Sequence, residues 1–194
     1  MQRIRRFPIG ISLAAVLLSL SGLFPRVCYA GPFGLDAGMS RAEVIQRIGK
    51  SSIVQEYSNT IAFNSVPTRS DYFDTYNCSF DQNGRLWVIS AFSKILATKS
   101  EGEDLRSSFD DLKSALEDKY GKALYVTGSK ASESRWIDSG RTVDPYVEAV
   151  WDGSGDYGKS AHIDQIDLTI QASDNGHGYI RLIYRFNTRI EDPL

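Results

Sequence analysis

The sequence is poor in sulfur and in histidine. Its 194 residues hold two cysteines, two methionines and two histidines. Cys28 falls inside an apparent export leader, so Cys78 would be the only cysteine of a mature chain. A single cysteine excludes an internal disulfide and leaves two fates, burial or pairing with another chain. Cys78 shares strand parity with Tyr72, Tyr76 and Phe80, which predicts burial. His162 and His177 flank one strand, fifteen residues apart. That spacing suits neither a shared zinc ion nor a base–nucleophile pair. The chain also lacks internal repeats and low-complexity tracts. After the leader, no stretch is long and apolar enough to cross a bilayer, so stable membrane insertion is not expected.

The leader itself is a pattern of three parts. Arg3, Arg5 and Arg6 precede an uncharged apolar run, Ile9 to Phe24, and Cys28-Tyr29-Ala30 supplies a small-x-Ala cleavage signal. Residues 1–30 are therefore expected to be a cleaved signal peptide, and residues 31–194 a single domain in the periplasm or outside the cell. Removing Arg3, Arg5, Arg6 and Arg26 from the 22 basic residues leaves 18 against 24 acids, a net charge of −6. This balance disfavours nucleic acid and anionic lipid as partners.

Local patterns give most of the expected elements. Ser40 with Glu43 forms a capping box, Val44, Ile45 and Ile48 make an apolar stripe, and Gly49 stops a short helix. Ser52 to Tyr57 and Ile61 to Val66 read as strands. Tyr72 to Phe80 alternates and meets Leu86 to Phe92 through an Asn-Gly turn. Leu86 to Phe92 reads as apolar on both faces, with Trp87 and Ile89 opposed to Leu86, Val88 and Phe92. Glu103 to Tyr120 carries Leu105, Phe109, Leu112 and Leu116 at helical spacing, and Ala115 is read as a close-approach position. Lys122 to Thr127 begins a strand, and residues 128–144 are polar, with Trp136-Ile137 as an apolar pair. Tyr146 to Trp151, Ile166 to Ala172 and Tyr179 to Phe186 are further strands. A turn at Asp174–Gly176 closes a hairpin whose outer face, with Arg181 and Arg185, is expected to be wet. The order predicts an α+β fold: a mostly antiparallel sheet packed by one long and one short helix, as a two-layer sandwich.

Two motifs carry possible chemistry. Gly153 to Ser160 fits the G-x-x-x-x-G-K-S spacing of a phosphate loop, but a strand pattern follows where a helix is required. A hairpin connection is the better reading. The same segment offers Asp152, Ser154 and Asp156 as alternating oxygen ligands for a divalent ion such as calcium. An EF-hand is excluded by Tyr157 and Ile163 at its glycine and closing-acid positions. The acid pairs Asp71/Asp74 and Asp110/Asp111 resemble hydrolytic pairs, although Asp110 and Asp111 lie off their helix stripe. Tyr72, Tyr76, Tyr179 and Tyr184 are candidates for an aromatic groove.

The segment Phe33 to Val44 resembles the opening of small bacterial envelope proteins of the SmpA/OmlA (BamE-like) family. Gly38, Met39, Ser40, Glu43, Val44 and Gly49 correspond in kind, within about 20 of the 164 mature residues. The resemblance implies an envelope location and support of outer-membrane assembly. The sequence departs from that family in its longer body and in Pro25-Arg26-Val27 before Cys28, where a lipidation signal has Leu and two small residues. The chain also resembles uncharacterised exported bacterial proteins with a Phe-x-x-Leu-x-x-x-Leu-x-x-x-Tyr-Gly helix, here Phe109 to Gly121, and a final aromatic strand. That likeness implies a location and a fold but no activity. The expected function is a non-catalytic domain binding an envelope protein or peptide at a sheet edge, with no catalytic residue assigned. A small carboxylate-based hydrolase and a divalent-ion module at residues 152–156 are the alternatives.

Overall fold

A computed structural model describes residues 31–97, 103–128, 147–173 and 177–187. The leader, the Trp136-Ile137 pair and the Asp174–Gly176 turn lie outside these residues. The fold is mixed α+β. The strands are β1 Ile53–Glu56, β2 Thr60–Phe63, β3 Thr75–Phe80, β4 Leu86–Phe92, β5 Leu96–Ala97, β6 Tyr125–Thr127, β7 Val147–Asp152, β8 Ile163–Ser173 and β9 His177–Phe186. The helices are α1 Arg41–Ile48, α2 Glu103–Tyr120 and α3 Asp156–Ser160. Eight strands follow the order β1-β2-β3-β4-β9-β8-β7-β6, and β5 pairs with β9 beyond the end of β4. Every pairing is antiparallel. Ser93 joins β4 to β5 across β9: its N–H donates to Ile180 O and its hydroxyl accepts from Ile180 N, both at 2.9 Å.

Local chemistry fixes the element ends. Ser40 Oγ accepts from Glu43 N at 3.3 Å, while Ser40 N donates to Glu43 Oε2 at 2.7 Å, closing the capping box of α1. Gly49, at φ 83°, takes the left-handed conformation that ends the helix. In the β3–β4 turn, Asp81 Oδ1 accepts from Asn83 N at 2.9 Å and Arg85 N at 2.8 Å. The aspartate thereby replaces backbone partners that the turn removes.

One apolar layer lines one face of the sheet. Phe63, Tyr76, Cys78, Ile89, Leu168, Ile170, Leu182 and Trp151 are buried there with Leu105, Phe109, Leu112 and Leu116 of α2. α2 packs on β8 and β9. Phe33 adds edge-on ring contacts to Phe73, Tyr76 and Tyr184, with centroids 5.0–6.0 Å apart. Burial pushes the Cys78 thiol well above its ordinary range, so it stays neutral.

Four details differ from the sequence reading. A register shift between Ser79 and Phe80 places Leu86 with Ile89 in the core and leaves Trp87 exposed. The bulge resets parity, which strict alternation cannot show. Ala115 is exposed on α2 and lets nothing approach. The segment after Asp152 is not all loop, because α3 occupies its second half. The outer face of the β8–β9 hairpin is not wet at its centre: Asp167 is 4% exposed and Thr169 3%. Both stand on β8, flanked by β7 and β9, so neighbouring side chains cover them.

Candidate functional site

Among the described residues the sheet ends at β6, where three consecutive side chains are exposed. β6 is paired along one flank, with β7, and among the described residues no strand lies along the other. Gly121, at φ 87°, ends α2 and turns the chain outward. Leu124 N then donates to Val150 O at 2.7 Å, starting the return along β7. Leu124, Tyr125 and Val126 are 67%, 45% and 51% exposed. Residues 123–127 contain neither a charge nor a proline. Val126 pairs with Ala149, a core-layer residue, so its side chain extends the apolar layer beyond the last covered strand. Tyr125 lies on the opposite face, with its hydroxyl 3.4 Å from Glu148 Oε2. Desolvation and then the Glu148 carboxylate raise the pKa of the Tyr125 hydroxyl, so it keeps its proton.

A cleft of about 480 Å³ opens between the C-terminal end of α2 and α3, lined by Lys119, Tyr120, Gly121, Gly155, Asp156, Tyr157 and Ser160. The Lys119 ammonium lies 4.2 Å from the Tyr157 ring centroid and 5.3 Å from that of Tyr120. The two rings meet edge to face at 5.3 Å. This is a cation–π arrangement. Burial raises the pKa of Tyr120 and Tyr184 far above the ordinary phenol value, so neither ionises at neutral pH. Beneath the cleft, Trp151 Nε1 donates to Gly121 O at 2.9 Å and fixes the end of α2 to β7.

The sequence-derived ligands Asp152, Ser154 and Asp156 fall between β7 and β8. Ser154 Oγ donates to Asp152 Oδ1 at 2.6 Å, and Ser154 N approaches the same oxygen at 3.3 Å. These bonds hold the Asp152 carboxyl below its ordinary pKa. Asp156 begins α3, and among the described residues no three His, Cys, Asp or Glu side chains gather to hold a metal. The glycines of the phosphate-loop pattern have a steric cause. A Cβ on Gly153 would lie 1.6 Å from Ile163 O, and one on Gly158 would lie 2.6 Å from Gly153 O. The chain crosses itself there, and β8 follows where a phosphate loop needs a helix.

The other sequence candidates are scattered. Asp71, Asp110 and Asp111 are exposed, and Asp74 is half-buried at the start of β3. His162 precedes β8, whereas His177 pairs with Ser173 near its far end. The four tyrosines form no groove: Tyr76 and Tyr184 are in the core, Tyr179 is on the opposite face, and Tyr72 is exposed in a turn. Sequence reasoning missed the cleft, because Lys119–Gly121 and Gly155–Ser160 meet only through the pairing of β6, β7 and β8. The uncharged run 123–127 was the available signal for the β6 edge. No family model, curated protein or solved structure matches this chain.

Proposed function

We propose that this chain is an exported, non-catalytic domain of the bacterial envelope that binds an extended protein segment by strand addition along β6. The carrying observation is the edge itself: three consecutive exposed apolar residues, uncharged, on a strand paired along one side. An added strand satisfies edge N–H and C=O groups, and alternate side chains set specificity. In this reading α1 and α2 form one layer and the sheet the other, a two-layer sandwich whose apolar layer runs out under Leu124 and Val126. The partner is then an extended segment with apolar residues at alternate positions. Its side chain nearest Gly121 enters the cleft beside Lys119 and Tyr157.

The test is photo-crosslinking in living bacteria, using the full chain with a photoreactive residue at position 126. One discrete adduct is expected, and it should disappear when Leu124→Glu is added. An adduct that survives Leu124→Glu, or no adduct at position 126, rejects strand addition at β6.

A further inference from the structure

The face of the sheet away from α2 carries two cations on β9, and they are treated differently. Arg185 forms an ion pair with the buried carboxylate of Asp167, which also accepts from Gln165 Nε2. Arg181 has no such partner. Its Nε is buried and makes no hydrogen bond, and among the described residues no carboxylate reaches its guanidinium. In the strand register Arg181 stands between Phe92 of β4 and Thr169 of β8. The next acid along that row is Glu148, across β8, about 10 Å away at ordinary strand spacing. The buried Nε has lost hydration that no hydrogen bond replaces.

Its neighbours supply an apolar wall. Tyr179 lies two residues before Arg181 on the same face, with its ring centroid 6.2 Å from that of Phe92. Its hydroxyl donates to Gln171, which fixes the ring. Thr169 Oγ1 donates to Arg181 O at 3.4 Å.

We propose that Arg181 is a recognition position for a carboxylate carried on an aromatic or apolar body. The terminal N–H groups of the guanidinium take the two oxygens end-on, and the Phe92–Tyr179 pair takes the body. A monoanion fits better than a dianionic phosphate, because Asp167 and Glu148 stand on the same face. This position is separate from the β6 edge and does not depend on strand addition.

The test is a titration of the isotope-labelled full chain followed by amide NMR. The probes are 3-phenylpropionate, the neutral 3-phenylpropanol, inorganic phosphate, and a short peptide ending in Phe with a free or an amidated C terminus. Saturable shifts around Arg181, Phe92 and Tyr179 are expected with 3-phenylpropionate or with the free-carboxylate peptide. Whichever binds more tightly identifies a small acid or a chain terminus as the source. Arg181→Gln should weaken binding at least tenfold, and Arg181→Lys less, since it keeps the charge but not the fork. Unchanged core resonances in both variants will establish that they fold. Equal binding of the alcohol, tighter binding of phosphate, unaltered binding by Arg181→Gln, or no saturable shift with any carboxylate overturns the proposal.

Discussion

The two edges of the sheet are built differently. β1 carries Glu56, and Arg41 of α1 clamps it, donating to Glu56 Oε2 at 3.0 Å and to Tyr57 O at 3.0 Å. A register shift between Ile53 and Gln55 also breaks the regular ladder of β1. Charge, a bulge and a covering side chain are devices that keep an edge from pairing with another chain. Val54 is 64% exposed there, but it sits at the register shift and is followed by polar Gln55 and Glu56. Among the described residues, β6 has none of these devices. Exposure alone does not leave an edge open to pairing; the absence of charge, bulge and cover does.

The comparison can be broken from the protein interior outward. Trp151→Ala should have the largest effect. It removes a fully buried ring and the bond to Gly121 O, at a cost of about 3–5 kcal/mol. Chemical denaturation will measure that loss, and amide exchange should show β6 loosening more than β1. Arg41→Ala should cost about 1 kcal/mol, because its ion pair is partly exposed. It should also leave β1 open, detectable as concentration-dependent association by analytical ultracentrifugation. Val126→Lys should change stability by less than about 0.5 kcal/mol while removing partner binding, since a lysine protects an edge without disturbing the core.

The smallest effect is in pH. At the β1 end, hydrogen bonds from Ser40 hold Glu43 below its ordinary pKa of 4.5. At the β6 end, Ser154 holds Asp152 below 3.8. A carboxyl with a depressed folded pKa stabilises the fold above its unfolded value, and that contribution is lost as pH falls through the folded value. Melting temperatures followed from about pH 6 down to about pH 3 should fall, and Glu43→Gln and Ser154→Ala should each flatten part of that slope.

Short-range chemistry was legible in the sequence. The capping box of α1, the bounds of α2, the Asp81–Gly84 turn and the core residues of β8 and β9 follow from spacing alone. What escaped is non-local. That β4 lies beside β9 depends on pairing across some ninety residues, which no local pattern encodes. The bulge that exposes Trp87 and the single turn of α3 need the tertiary fold to set them. The tyrosines looked like one group because they share a residue type, but parity and turns sent them to three environments. The β6 edge was visible only as an uncharged stretch after Gly121, and its meaning came from its place at the end of the sheet.

Amide hydrogen exchange along the backbone of β6 tests strand addition most directly. Exchange should be compared between the free full chain and its complex with the partner captured at position 126. The amides of Tyr125, Val126 and Thr127 that face the free edge should gain protection on binding, while those of Val54 to Glu56 should not change. Unchanged exchange along β6, or equal protection of both edges, would contradict strand addition there.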